Sequence, residues 1–390
     1  MRRRVVVLVY LALFVGELSW SGVTPLIPSY VTQYDLSDFE GGLVLSVASL
    51  GILLASLPAS VLTRRVTPRD LTLGAMAVIA VAGLAMAVAP GYPAIIAARF
   101  VFGLGFGTLW VAMAAWLADA AGKDSPRVLA LTTAIVGVGA TLAPAYAGWV
   151  AAHLGLSAPF VGLAVVTALL FVLLLFDRSG TGLNKDPAPP ARELVRAAHS
   201  DPDLLTMLLL TTGAAVVWMT ADLLVPLRLD RGGLGVSQIG VLFSVSAVVF
   251  VAASALTARR ADRIATPRVA AVATGALALV TCIPAVSLGV PAAVVFLIGA
   301  AVATGVIVAL TFPFGLYSVA RGAVTVAVMS ALANIIWALS GMAGPTVGGA
   351  FAEWAGDGPA FAVLAAVCAA VAVFVGSRRG AWRPAHEQQP

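Results

Sequence analysis

The sequence predicts an all-α membrane protein of twelve transmembrane helices, arranged as two pseudo-symmetric six-helix bundles. Three observations carry that prediction: a composition too apolar for water, twelve apolar runs separated by loops of alternating charge, and an internal repeat. Of the 390 residues, 61% are hydrophobic and 11% are charged, against about half and about a quarter in soluble domains. Too few polar residues remain to coat a water-soluble surface, so lipid is the solvent for most of the chain. The net charge of +5 would suit a nucleic acid only if a basic patch were interleaved with aromatics. Here the basic residues stand in short clusters between apolar runs, the pattern of topology signals, and no nucleic-acid partner is expected.

A bilayer core of about 30 Å is crossed by about twenty apolar residues rising 1.5 Å each. Breaks by charge, Pro or Gly divide the chain accordingly. The first six spans are Val5 to Ile27, Gly41 to Leu62, Leu71 to Ala89, Ala94 to Ala115, Val128 to Ala151 and Ala158 to Phe176. The second six are Leu204 to Leu227, Ile239 to Ala258, Val269 to Leu288, Ala292 to Phe314, Val324 to Phe351 and Ala360 to Val375. Runs this long, rich in Ala, Leu and Gly, close their own hydrogen bonds as helices rather than as barrel strands. Met1 to Gly16 has the look of a signal peptide, with three arginines before an apolar run. No small-x-small cleavage pattern follows and Trp20 and two prolines come next, so it reads as an uncleaved first helix. Cys282 and Cys368 fall inside apolar stretches and read as packing residues, with no disulfide framework or metal-ligand spacing.

Charge then orients the spans. Arg2, Arg3 and Arg4, loop 2–3 (Arg64, Arg65, Arg69), loop 4–5 (Lys123, Arg127), the central loop (Arg178, Lys185, Arg192, Arg196), loop 8–9 (Arg259, Arg260, Arg263, Arg268), and Arg321, Arg378, Arg379 and Arg383 all fall on one side. They are 20 of the 23 basic residues. Arg228 and Arg231 are on the other side, and Arg99 lies within a span. Positive-inside bias places the termini and the central loop in the cytoplasm, as expected of a protein of the bacterial plasma membrane. The expected organisation is an N-terminal bundle over residues 1–176, a cytoplasmic linker over 177–202, a C-terminal bundle over 203–376 and a tail over 377–390. The linker contains Pro187, Pro189 and Pro190 and reads as a polar connection between halves.

Self-similarity is the third observation. Leu26-Ile27-Pro28, Gly42 and Ser46 correspond to Leu224-Val225-Pro226, Gly240 and Ser244 at an offset of 198. The string from Arg64 to Arg69 matches that from Arg263 to Arg268 at 199, both ending Thr-Pro-Arg. Gly139-x3-Ala143-Pro144-x2-Ala147-Gly148 matches Ser340-x3-Gly344-Pro345-x2-Gly348-Gly349 at 201. Spans 1, 2 and 5 thus repeat as 7, 8 and 11.

With these motifs the chain resembles the major facilitator superfamily over essentially its whole length. The family's loop 2–3 motif, G-x-L-A-D-R-x-G-R-R, keeps Arg64 here, with Thr63 in place of the aspartate, while loop 8–9 retains Asp262-Arg263. The span 4 motif R-x-x-x-G-x-G appears as Arg99-x3-Gly103-x-Gly105. The span 5 motif G-x3-G-P-x2-G-G, which in the family marks exporting antiporters, is matched by Gly139 to Gly148 with two Gly-to-Ala changes. The resemblance implies the major facilitator fold and is nearest to the drug:proton antiporter branch.

Ionisable groups at bilayer depth are costly and therefore functional candidates. Glu17, twelve residues into span 1 and so about 18 Å along it, is the first candidate for exchanging a proton; the alternative is a carboxylate permanently paired between two helices. Arg99, in the outer part of span 4, has an implied role in coupling or substrate contact, and could pair with Glu17. Asp222 is read as a second proton site, as an outer gate with Arg228, or as a group solvated at the mouth. Trp20, Ser21 and Thr24 share the Glu17 face of span 1. Phe106 and Trp110 share the Arg99 face of span 4. With Trp218, Asn334 and Trp337 they predict an aromatic cavity with few hydrogen-bonding groups, suited to a lipophilic or amphipathic substrate. Each tryptophan has the alternative role of an interfacial anchor. Gly139, Pro144, Gly344 and Pro345 read as hinges or tight seams, and Arg64, Asp262 and Arg263 as gating residues.

No phosphate-cradling loop of the kind an ATP-driven pump needs occurs. His153, His199 and His386 are read in loops or tails, away from any buried metal or haem site. The expected function is therefore a secondary active transporter, a proton-coupled exporter of lipophilic or amphipathic compounds; import of a small metabolite and a sensor without flux are the alternatives. The expected partners are a small-molecule substrate and membrane lipid. The protein is expected to act as a monomer, not as an enzyme, without a cofactor and with the proton gradient as its energy source.

Overall fold

A computed structural model describes residues 3–121, 125–177, 201–287 and 289–378, together with six positions in the central segment. Among the described residues there are helices and no strands. In chain order they are α1 (Arg3–Ser21), a 3-10 turn (Thr24–Leu26), α2 (Ile27–Tyr34), α3 (Asp38–Leu62), α4 (Pro68–Ala87), α5 (Tyr92–Ala121), α6 (Ser125–Leu154) and α7 (Ala158–Leu175). There follow α8 (Pro202–Arg231), α9 (Val236–Ala258), α10 (Ala261–Ile264), α11 (Pro267–Val286), α12 (Val290–Ala320), α13 (Val326–Ala355) and α14 (Asp357–Ser377). Among the described residues twelve stretches are long and apolar enough to cross a membrane, the first running through α1 and α2 from Arg4 to Tyr34.

Side chains and prolines set the helix starts. Ser37 and Glu40 form a reciprocal capping box at α3, in which the Ser37 hydroxyl accepts from the Glu40 N–H and the Glu40 carboxylate from the Ser37 N–H. Thr67, Thr266 and Thr325 cap α4, α11 and α13 in the simpler way, each accepting from a backbone N–H three residues on. Pro68 and Pro267 then occupy the first helical position, where no N–H is needed. Gly356, at φ +90°, makes the turn between α13 and α14 in a conformation that L side chains rarely adopt.

The chain packs as two compact units, Met1–Ala188 with Leu229–Ser244, and Pro189–Arg228 with Val245–Pro390. In lipid, apolar side chains gain little by leaving their solvent, so helices hold through close packing and small residues. The first unit shows this along α3 and α5. A Cβ at Gly103 would stand 2.1 Å from the Ala48 carbonyl oxygen, one at Gly51 2.5 Å from that of Phe100, and one at Gly107 2.8 Å from that of Ile52. Its buried core gathers Leu13, Met76, Leu109, Met113 and Trp116. Gly240, within the same unit, meets α6 where a Cβ would stand 2.3 Å from the Pro144 carbonyl oxygen, and the Ser244 hydroxyl accepts from the Ala145 N–H at 3.0 Å. In the second unit Phe296 and Phe361 meet edge to face at 5.0 Å, and Gly344 and Gly348 lie against Thr220 of α8.

The structure corrects the sequence reading in several places. The first span is broken: Pro25 and Pro28 remove two N–H donors, a 3-10 turn intervenes, and helix resumes to Tyr34. Several spans extend beyond their apolar windows, α5 and α8 to 30 residues each, because polar residues at helix ends still satisfy the ladder. Loop 8–9 contains the short helix α10. His153 lies in the last turn of α6, its Nδ1 at 2.8 Å from the Trp149 carbonyl. Cys282 is exposed on α11, so only Cys368 packs inside. Most of the linker 177–202 and of the tail 377–390 lies outside the described residues, as does the Asp262 side chain.

Candidate functional site

Glu17 and Arg99 are both deeply buried in the first unit, at 7% and 2% exposure. Glu17 sits one turn before the break in the first span, where α1 runs against α6. The Ser21 hydroxyl donates to its Oε1 at 2.7 Å, and no cation pairs with it among the described residues. Gly139 of α6 makes the room: a Cβ there would stand 3.0 Å from the Glu17 Cβ and 3.2 Å from its Cγ. A carboxyl held by a single hydroxyl keeps one oxygen without a donor, and can take or release a proton without breaking an ion pair.

Arg99 does not pair with Glu17. Its Nε donates to the Val44 carbonyl of α3 at 3.1 Å, and its guanidinium lies 5.7 Å from the Trp20 ring centroid and 5.2 Å from that of Phe102, within cation–π range. A cavity of about 10 Å³ opens beside it, lined by Ser19, Met86, Phe160 and Thr167 among others, roughly the volume of one water. The Ser19 and Thr167 hydroxyls donate to carbonyls of their own helices, so they offer lone pairs to that cavity while Arg99 offers N–H groups. The result is a cation with aromatic faces and no carboxylate partner among the described residues.

The other predicted lining residues are less uniform. Trp20 stacks on Phe106 at 5.9 Å and 9°, and Phe106 meets Trp110 edge-on at 6.3 Å. Phe106 itself is 4% exposed and seated against Gly16; it belongs to the core rather than to an open wall, because the missing Cβ at Gly16 lets the ring sink inward. Thr24 is buried in the 3-10 turn. Ser21 and Trp20 are half-buried, Trp110 is 36% exposed, Trp218 is half-buried against Phe250 at 5.1 Å, Asn334 is exposed and Trp337 half-buried.

Asp222 is half-buried on α8. It makes no gate with Arg228, which is committed elsewhere. Arg228 Nε donates to Asp357 at 2.9 Å, and its Nη1 donates to the Pro284 and Ser287 carbonyls at 2.8 and 3.2 Å. The side chain therefore ties α8 to the end of α11 and the start of α14. Sequence reasoning missed this clamp, although the acidic residue opening α14 was a signal. It also missed Asp201, whose Oδ1 caps α8 by accepting from the Asp203 and Leu204 N–H groups and receives the Ser318 hydroxyl and Arg321. Burial pushes the Asp201 carboxyl up, but the Ser318 hydroxyl, the Leu204 N–H and Arg321 together outweigh it and hold it below the ordinary aspartate range. Asp-Pro-Asp before an apolar run is a cap signal that would have found it. Of the gating residues, Arg64 and Arg263 are exposed, and Pro144 and Pro345 lie inside continuous helices.

Helices alone among the described residues, twelve of them of membrane length, with buried charged side chains along them, are the build of a membrane transporter. Residues 9–345 match the family model of the Major Facilitator Superfamily, and the chain belongs to that family of secondary transporters. It is 28% identical over 216 residues to the 3-(3-hydroxy-phenyl)propionate transporter of Escherichia coli strain K12, a match covering 54% of this chain and about half, 53%, of that protein. Among solved structures it resembles a bacterial homologue of the human lysosomal transporter Spinster, with a TM-score of 0.76 at 16% identity, covering 96% of this chain and 94% of that one. A human organic anion transporter gives a TM-score of 0.69 at 18% identity, covering 96% and 99%. At these identities the structures speak for the fold alone.

Proposed function

We propose that the protein is a proton-coupled exporter of small lipophilic or amphipathic compounds, working by alternating access, with Glu17 as the carboxylate that exchanges the proton. The observation that carries the reading is Glu17 itself: a buried carboxyl beside a helix break, held by one hydroxyl and no cation. The Gly139 to Gly148 string, similar to the motif of exporting antiporters, supports the outward direction and the kinship with drug:proton antiporters. The aromatic surroundings of Trp20, Trp110 and Trp218 support a substrate with apolar faces. Asp222, with no hydrogen bond or ion pair among the described residues, is the second proton-site candidate. On this reading the protein acts as a monomer in a bacterial plasma membrane with both termini in the cytoplasm, as the arginine distribution favours, and needs no cofactor.

A second reading is uptake of a small aromatic carboxylate. Arg99 favours it, as a buried guanidinium between two aromatic rings with no carboxylate of its own. The Escherichia coli relative, named for an aryl propionate, points the same way.

Flux into proteoliposomes under an imposed pH gradient separates these readings. Wild type and Glu17→Gln are compared on lipophilic cations, neutral drugs and 3-(3-hydroxyphenyl)propionate. One pH unit is worth about 1.4 kcal/mol per proton, or roughly tenfold accumulation. Gradient-driven antiport that disappears in Glu17→Gln is expected, and equal accumulation by both proteins removes Glu17 from coupling. Cotransport of the aryl propionate alone selects the second reading. No flux of any compound rejects both in favour of a sensor.

A further inference from the structure

We propose that Arg259, Arg260, Arg263 and Arg268 form a headgroup site for an anionic phospholipid at the junction of α9, α10 and α11. All four side chains are exposed, and none is in an ion pair among the described residues. Four guanidinium groups within ten residues repel one another, so the cluster calls for counter-charge. Two arginines at other helix ends of the same unit are already engaged. Arg321 is held by Asp201 and Asp203, and Arg378 donates to the Pro202 carbonyl and to Thr206.

The internal repeat isolates what is missing. Arg69, the counterpart of Arg268, pairs with Asp70 at 2.9 Å and donates to the Asp177 and Leu175 carbonyls at the end of α7. At the same offset of 199, Asp70 is replaced by Val269, and the first turn of α11 carries no acidic residue. Arg268 therefore adds a positive charge to a helix N-terminus that is itself positive, with no ion-pair partner among the described residues. An external anion completes the arrangement.

The apolar surroundings select a lipid as the source of that anion. On α11 the exposed side chains Val272, Leu279 and Val286, at 73%, 73% and 86%, follow Arg268 at spacings of 4, 7 and 7 and so form one stripe. On α9, Leu256 is 63% exposed and precedes Arg259 and Arg260 by three and four residues. An apolar stripe on α11 and the exposed Leu256 on α9 thus lead to the same guanidinium cluster, as a molecule with a phosphate at one end and hydrocarbon at the other requires. A soluble anion would have no use for this apolar surface.

Native mass spectrometry of the full-length protein from mixed phosphatidylglycerol and phosphatidylcholine tests the site. Each arginine near an anionic headgroup is worth roughly fivefold. The wild type is expected to retain phosphatidylglycerol preferentially, and the variant with all four arginines replaced by glutamine to lose at least about tenfold of that preference. The variant with all four replaced by lysine, which keeps the charge and guards against a folding defect in the first, is expected to keep most of it. Equal retention by wild type and the glutamine variant, or loss in the lysine variant, overturns the proposal. Displacement of phosphatidylglycerol by millimolar inorganic phosphate overturns the lipid assignment in favour of a soluble anion.

Discussion

Gly103→Ala tests whether the α3–α5 seam is set by main-chain contact. The added Cβ would lie 2.1 Å from the Ala48 carbonyl oxygen, 2.9 Å from its carbon and 3.0 Å from the Ala48 Cα. A carbon rests against a carbonyl oxygen at about 3.3–3.6 Å, so the two backbones must part by about 1.2 Å or more. No side chain can turn aside to absorb this, since the obstructing atom is backbone. The same two helices also touch through Gly51 and Gly107, so separation at one point strips packing from its neighbours. Overpacking of this kind costs about 1–3 kcal/mol and occasionally more; a main-chain obstruction belongs at the upper end, about 3 kcal/mol. At about 2–4 °C per kcal/mol for a unit of this size, Tm should fall by roughly 6 °C or more in nanodiscs, followed by tryptophan fluorescence. Gly74→Ala is the control. Gly74 is exposed in the middle of α4 with nothing within 4 Å of an added Cβ, and alanine there should gain about 0.5–1 kcal/mol. Arg99 lies one turn before Gly103, so its bond to Val44 on α3 should lengthen in Gly103→Ala and transport should fall with it. A Gly103→Ala protein melting within a degree of wild type would refute the seam.

Two further outcomes follow from buried polar groups. Arg228→Met leaves the Asp357 carboxylate and the Pro284 and Ser287 carbonyls without their donor, and should cost about 3–5 kcal/mol in chemical unfolding; adding Asp357→Leu should recover part of it, and a fully additive double mutant would contradict the clamp. The Asp201 carboxyl is held below its unfolded value of about 3.9, so its contribution is fully present above about pH 4 and is lost as pH falls through the lower folded value. Asp201→Asn should therefore destabilise by about 1–2 kcal/mol at pH 7, discounted because Arg321 is partly exposed. It should also flatten the acid limb of the stability curve; parallel acid limbs for the two proteins would exclude Asp201 as its source.

The scaffold was legible because lipid imposes a simple code: length, hydropathy and arginine placement recover twelve spans, and the repeat pairs the two halves. What the sequence concealed is what a side chain does at short range. Glu17 and Arg99 could be named as buried charges, but not as separate ones. Periodicity placed each on an inward face without revealing that Ser21 and Gly139 take one and Val44, Trp20 and Phe102 the other. Phe106 reads as a lining residue on a helical wheel and proves to be core because Gly16, ninety residues away, leaves space for its ring. For Arg228 the sequence offers Asp222, six residues off on the same helix, as one candidate partner. Its true partner, Asp357, is 129 residues distant, and local pattern carries no information at that range.

The break in the first span determines where that element can bend. Pro25 supplies no N–H to the Ser21 carbonyl four residues earlier, and Pro28 none to that of Thr24, so the ladder lacks two rungs within one turn. A rod with missing rungs yields there before it yields elsewhere. Glu17 and its Ser21 partner occupy the end of the stiff arm on one side, and Tyr30 and Tyr34, ring on ring at 6.2 Å, brace the arm on the other. The carboxyl is thus mounted at the joint of a two-piece lever, where a small rotation of one arm moves that group little and the far end of the helix a great deal.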